Sequence, residues 1–125
     1  MRVRAVLLTG VMILSGCTQI DREPHNYGSA RALFDASRNR PETRGYIDSF
    51  ITEQNGKHID EASGCYEKGV GTVVQLVTLV GADGVISAVF ADSRTPKAEC
   101  FREAYLGKKM PVPPFSPFPV SMTMK

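Results

Sequence analysis

The residues of this chain best suited to chemistry are its cysteines, Cys17, Cys65 and Cys100, and its histidines, His25 and His58. A catalytic cysteine needs a partner that favours the thiolate, such as a nearby base or the second cysteine of a Cys-x-x-Cys motif. These cysteines are too far apart in sequence for that motif, and the two histidines lack the spacing of a metal-ligand pair. The sequence therefore predicts no catalytic residues and no metal site.

Cys17 stands at the end of an apolar run over residues 3–16, which begins beside Arg2 and Arg4. The run is shorter than the roughly 20 residues that a membrane-spanning helix needs, whereas a basic start and a short apolar stretch are typical of a secretory signal peptide. The motif Leu14-Ser15-Gly16-Cys17 resembles the lipobox of bacterial lipoproteins. That resemblance implies diacylation of the Cys17 thiol and cleavage just before it. An ordinary signal peptide with an incidental cysteine is the alternative.

The lipoprotein resemblance also implies where the protein is located. Residues 1–16 would be removed as the signal peptide, and covalent lipid on Cys17, with palmitate among its acyl chains, is the only bound group expected. Two or more acyl chains anchor a protein stably in a membrane. Thr18 occupies the position at which Asp, in this family, favours retention in the inner membrane. The expected location is therefore the periplasmic face of the outer membrane of a Gram-negative cell.

Charge excludes one large class of partners. The whole chain has 15 basic and 13 acidic side chains, and loss of Arg2 and Arg4 with the signal peptide leaves 13 of each. A protein without net charge has no strong electrostatic field to attract nucleic acid or anionic lipid. We expect no nucleic-acid partner, and we expect contact with the membrane through the lipid anchor.

Residues 17–45 are mostly polar and predict a flexible tether between the lipid and a folded domain. Ser29 could cap a single helical turn that places Ala30, Leu33 and Phe34 on one face, but isolated short helices are marginal in water. The folded domain is predicted over residues 46–125.

Hydrophobic spacing divides the folded domain into elements. Apolar residues at three- and four-residue intervals after Tyr46 predict a helix, which Asn55-Gly56 could divide in two. Two β-branched runs that flank the turn 81–84 predict a hairpin, and Thr95-Pro96 is typical of a helix start. The predicted elements are, in order, a helix over 46–68, strands over 72–80 and 85–92, a helix over 96–106 and a strand over 120–124.

The predicted strand over 72–80 is apolar on both of its faces, which indicates the central and most covered strand of a sheet. With its hairpin partner on one side, the last strand has to pair on its other side. One row of amides and carbonyls of that last strand would then remain open to a partner. The expected partner-binding edge consists of Val120, Ser121, Met122, Thr123 and Met124.

The order of these elements resembles the C-terminal domain of TonB, over about residues 47–125. The resemblance depends on Cys65-Tyr66 late in the first helix, on the turn 81–84, on Cys100 in the second helix and on Met110-Pro111 before the last strand. It is closest to the branch with a cysteine-tyrosine pair and a second cysteine. It implies an α+β fold, a small three-stranded antiparallel sheet packed on two helices, and recognition of an extended peptide by strand addition.

The two resemblances together imply a use for each cysteine. Once Cys17 is assigned to lipid, Cys65 and Cys100 remain as a pair, and a bridge between them is expected in the oxidising periplasm. The sequence thus predicts a non-enzymatic outer-membrane lipoprotein whose periplasmic domain binds an envelope protein. The alternatives are an accessory lipoprotein of a secretion or transport machine and, from a different class, a small envelope hydrolase.

Overall fold

The computed structural model describes residues 23–58 and 62–125, and the main elements of this part of the chain are three α-helices and three strands. A turn of π-helix over Gln54–His58 and a short 3-10 helix over Ser63–Glu67 lie between the second helix and the first strand. Residues 1–16, which the sequence predicts to be a signal peptide, lie outside the described residues, as do Cys17 and Thr18. The main elements are α1 Tyr27–Ser37, α2 Pro41–Glu53, β1 Val74–Val80, β2 Ile86–Ala91, α3 Pro96–Tyr105 and β3 Phe118–Met124.

The strands form one antiparallel sheet in the order β2-β1-β3. The two-sided apolar strand is therefore central, as its sequence predicts, and β3 is an outer strand. Leu76 points to one face of β1 and Val77 to the other, because side chains alternate along a strand. Both side chains are fully buried, so both faces of the sheet are covered.

Helices α2 and α3 cover the first face of the sheet. Their buried aromatic residues, with Tyr46 and Phe50 from α2 and Phe101 and Tyr105 from α3, form one cluster with Leu76 and its neighbours on the strands. The ring of Tyr46 lies 4.4 Å from that of Phe118 at the start of β3, a tilted arrangement favourable for aromatic pairs. The predicted α+β fold, a small antiparallel sheet packed on helices, is confirmed.

Helix α1 covers the second face of the sheet and lies within residues 17–45, for which the sequence predicts a tether. Asn26 caps its start, and the side chains of Asn26 and Ser29 bond reciprocally to each other's backbone amides. The helix packs against all three strands, and Ala30 is fully buried. Helix α1 is thus part of the folded domain, because the apolar second face of β1 stabilises a helix that would be marginal alone.

The helix predicted over 46–68 differs from the structure at both ends. Helix α2 begins earlier, at Pro41, because the fixed φ of proline suits the first helical position. Its α-helical part ends at Glu53, and the chain passes through the π-turn that contains Asn55-Gly56. Cys65 and Tyr66 then lie in the separate 3-10 helix.

The other predicted elements agree closely with the structure. The Thr95 hydroxyl accepts a hydrogen bond from the Ala98 amide at 3.2 Å, and Pro96 occupies the first turn of α3 as expected. Gly84 in the hairpin turn has a φ of 87°, and a side chain there would collide with the Met110 carbonyl. The last strand begins at Phe118, two residues earlier than its sequence predicts.

Candidate functional site

The outer edge of β3 exposes backbone groups whose direction follows from the strand register. The Gln75 amide donates to a carboxylate oxygen of Asp92 at 3.1 Å, and the Gln75 carbonyl accepts from the Asp92 amide at 3.0 Å. Gln75 therefore points its backbone groups towards β2, and Leu76 points its own towards β3. Leu76 is opposite Met122 in the register, so Met122 bonds inward to β1. The flanking residues Ser121 and Thr123 consequently present their amides and carbonyls outward.

Pro119 fits this assignment. It lies opposite Leu79 in the register, two residues before Ser121. Backbone groups alternate in direction along a strand, so an amide at position 119 would point outward like that of Ser121. Proline has no N–H to donate and is found in sheets mainly on edge strands. The outward amides of β3 are thus those of Ser121 and Thr123.

A groove runs between the edge of β3 and helix α2, and we refer to it as the edge groove. Its volume is about 360 Å³. Ile47 is half-buried on its α2 side, and Ile51 is 45% exposed although its side chain is large and apolar. Met122 is half-buried on its strand side. The other lining residues are Gln54, Asn55, Tyr66, Val120, Ser121, Thr123 and Met124.

Two tyrosine hydroxyls connect the elements that surround the edge groove. The Tyr66 hydroxyl donates to the sulfur of Met124 at 3.6 Å, which joins the 3-10 helix to the end of β3. The Gln54 side-chain amide donates to the Tyr105 hydroxyl at 3.0 Å, which joins the end of α2 to α3. Burial raises the pKa of Tyr105 to about 12, with a smaller contribution from Tyr66, so this acceptor is the neutral phenol at physiological pH.

The opposite face of the same edge is polar. One guanidinium nitrogen of Arg31 donates to the Ser121 hydroxyl at 2.9 Å, and another lies 3.5 Å from Asp35 on the same helix. The Thr123 hydroxyl donates to the side-chain oxygen of Gln75 at 2.8 Å. The edge thus has an apolar side towards α2 and a hydrogen-bonding side towards α1.

The outer edge of β2 is closed over part of its length by the chain itself. The Ile86 amide donates to the Lys108 carbonyl, and the Ile86 carbonyl accepts from the Gly107 amide, both at 2.9 Å. Further along, Arg102 of α3 donates to the Val89 carbonyl at 3.0 Å. Such coverage protects a sheet edge from pairing with another strand. For the residues of β3, the structure shows no comparable backbone pairing on the outer side.

A second cleft, about 480 Å³ in volume, lies near the start of α1 and contains the residues most relevant to an enzymatic interpretation. His25 and Ser93 both line it, but the buried Ser93 hydroxyl has no hydrogen-bond partner and therefore no general base in contact with it. Arg102 and Glu99 in the same cleft pair with each other at 2.6 Å. The groups in this cleft do not form a nucleophile-base arrangement.

The structure brings Cys65 and Cys100 together, and the predicted disulfide is confirmed. The bridge joins the 3-10 helix to α3, and Cys65 is buried in the main core. Cys17, the predicted lipidation site, lies outside the described residues. The side chain of His58 is also outside what the structure describes.

Sequence reasoning found the edge strand but missed the residues that give the edge its character. Arg102, which closes β2, and Arg31, which contacts β3, come from elements distant in sequence, so no local pattern indicates them. Ile47 and Ile51 did carry a signal, because their four-residue spacing places them on one helix face. That face contributes to a groove only because α2 lies beside β3.

Within residues 23–58 and 62–125, no group of three or more His, Cys, Asp or Glu side chains is placed to hold a metal ion. In that same part of the chain, no helix has both the length and the apolar character needed to cross a membrane. Comparison of this chain with protein-family models, with curated proteins and with solved structures finds no match.

Proposed function

We propose that this protein is an outer-membrane lipoprotein whose periplasmic domain binds another envelope protein by accepting an extended segment along β3. The observation that supports the proposal most is the difference between the two outer strands. The chain closes the β2 edge with Arg102 and with residues 107–108, whereas Ser121 and Thr123 of β3 present backbone groups outward.

Strand addition uses such an edge directly. An added strand obtains affinity from main-chain hydrogen bonds and specificity from the side chains that it places in neighbouring pockets. Ser121 and Thr123 supply two amides and two carbonyls, and the edge groove supplies a neighbouring pocket. The TonB resemblance of residues 47–125 implies the same mode of recognition.

The lipid anchor is the second part of the proposal. It rests on Leu14-Ser15-Gly16-Cys17 after the apolar run and on the position of Thr18. Assignment of Cys17 to lipid is consistent with the disulfide, because Cys65 and Cys100 account for the remaining thiols. The proposed partner is an envelope protein with an extended segment in the periplasm.

The experiment is site-specific photocrosslinking in intact cells, with a photoreactive residue at position 125, directly after β3. Ser121→Pro removes one of the two outward amides and leaves the inward hydrogen bonds of β3 intact. Because one hydrogen bond contributes about 1 kcal/mol, we expect roughly a fivefold smaller yield of the partner adduct.

Two variants serve as matched controls. Ser121→Ala removes the hydroxyl bonded to Arg31 but keeps the outward amide, so its adduct yield should remain near that of the wild type. Ala91→Pro removes an outward amide from β2, at the opposite edge of the sheet, and should also leave the yield unchanged. A Ser121→Pro protein that folds normally by circular dichroism and crosslinks like the wild type would refute recognition at β3.

A further inference from the structure

The edge groove lies where it would contact one side chain of an added strand, and its position can be derived from the register. Ser121 and Thr123 would each form a hydrogen-bonded pair with a residue of an antiparallel added strand. Met122 lies between them, so Met122 and the residue opposite it would form a non-hydrogen-bonded pair. Side chains approach each other most closely at pairs of this second type. The residue opposite Met122 therefore has the closest contact with the Met122 side chain.

Met122 directs its side chain towards α2. Val120 and Met124, its neighbours at a spacing of two, are buried in the core that α2 and α3 cover, and side chains at that spacing share a face. The residue opposite Met122 would point the same way, towards Ile47 and Ile51 of α2. Its two neighbours in the added strand would point to the other face, near Ser121 and Arg31.

We propose that the edge groove selects one large apolar side chain, carried by the added strand opposite Met122 and flanked by polar residues. This inference rests on the proposed function and specifies its partner as a segment with the pattern polar-apolar-polar. The apolar requirement comes from Ile51, whose exposed side chain would be covered. The polar requirement comes from the hydrogen-bonding side of the edge. There Arg31 donates to the Ser121 hydroxyl, and the Thr123 hydroxyl donates to Gln75.

Continuity with the open strand edge identifies the occupant as an extended peptide. The groove is lined on one side by all five residues over 120–124, so an occupant of the groove also lies against the outward amides of Ser121 and Thr123. A segment with its own unpaired amides and carbonyls pairs with those groups while it fills the groove. A second copy of this chain, paired edge to edge, is treated below as a competing outcome.

The test compares two peptides that differ at one position. The first probe is a fluorescein-labelled peptide of sequence Thr-Ser-Thr-Leu-Thr-Ser-Thr, and the second has Ser in place of the central Leu. Binding is measured by fluorescence anisotropy against the processed, full-length lipoprotein in detergent micelles. Burial of one leucine side chain should make the first peptide bind at least tenfold more tightly than the second.

Ile51→Glu is the variant that isolates the groove. It places a carboxylate beside the apolar side chain of the peptide, and we expect at least fivefold weaker binding of the leucine peptide with little change for the serine peptide. Leu106→Glu is the matched control, because Leu106 is 53% exposed and lies beside the closed β2 edge. It should change the binding of neither peptide.

The outcomes separate this inference from the proposed function. If Ser121→Pro weakens both peptides but the central residue has no effect, recognition at the β3 edge stands and selection by the groove is wrong. If binding of both peptides is insensitive to Ser121→Pro, or neither peptide binds at millimolar concentration, the inference fails, and the crosslinking experiment tests the edge independently. Self-association that Ile51→Glu abolishes, measured by analytical ultracentrifugation, would assign the groove to a second copy and overturn the inference.

Discussion

At the scale of single residues, the disulfide is the feature with the largest expected contribution to stability. Cys65 and Cys100 are 35 residues apart in sequence, and the bridge restricts the unfolded chain by closing that loop. For a loop of this length the chain-entropy estimate is about 4 kcal/mol, which is a large share of the stability of a small domain. The bridge also fixes the 3-10 helix, whose Tyr66 contacts the end of β3.

The double variant Cys65→Ser/Cys100→Ser should therefore lower the free energy of unfolding by about 4 kcal/mol. Urea unfolding of the oxidised wild type and of the variant, followed by circular dichroism, measures the difference. Reduced wild-type protein is the control and should unfold at nearly the same urea concentration as the variant. A difference below about 1 kcal/mol would show that the loop contributes little to the unfolded-state entropy.

At the scale of elements, α1 matters because it completes the sheet. The sheet has two apolar faces, and α2 with α3 can cover only one of them. Ala30 is fully buried where α1 crosses the strands, and Arg31 joins the helix to β3 through Ser121. The helix thus belongs to the folded domain and packs against β3, the proposed recognition strand, on the second face of the sheet.

Ala30→Asp should destabilise the domain by about 2 kcal/mol or more, because it buries a carboxylate with no partner against the sheet. Ala32→Asp, an exposed position on the same helix, is the control and should change the stability little. Thermal unfolding of the two variants measures the difference. Equal melting temperatures would mean that α1 does not pack on the sheet in solution.

At the scale of the whole molecule, the position of α1 limits how far the domain extends from its proposed anchor. Ten residue steps separate Cys17 from Tyr27 at the start of α1, and they span no more than about 36 Å even when fully extended. In the proposed arrangement, the distance of the β3 edge from the membrane is therefore at most the length of this link plus roughly one domain diameter. The proposal thus predicts a partner whose extended segment lies close to the same membrane.

This limit depends on lipidation of Cys17, which labelling of growing cells with radioactive palmitate tests. The wild-type protein should incorporate label, and Cys17→Ser should abolish it and leave unprocessed precursor. Cys65→Ser, at a bridged cysteine, is the control that should remain labelled. Absence of label from the wild-type protein would refute the anchor and with it the limit on reach.

Features that depend on short-range patterns could be predicted from the amino-acid sequence. Thr95-Pro96 defined the start of α3, the turn 81–84 defined the hairpin, and the two-sided apolar strand defined β1 as central. The disulfide followed from a count of thiols once Cys17 was interpreted as a lipid site. Each of these features depends on residues that are close in sequence or on the number of cysteines, so the sequence is sufficient to predict it.

The cover of the second face of the sheet and the open edge at β3 follow from long-range contacts, which the sequence patterns do not show. Residues 27–37 have too few apolar positions to predict a stable helix in isolation. The helix forms because it packs on the sheet, whose strands lie about forty positions or more later in the chain. Arg102 closes the β2 edge through a carbonyl that a linear pattern does not identify. Contacts between distant residues determine these features, and the energy of such contacts is defined only when the chain is folded.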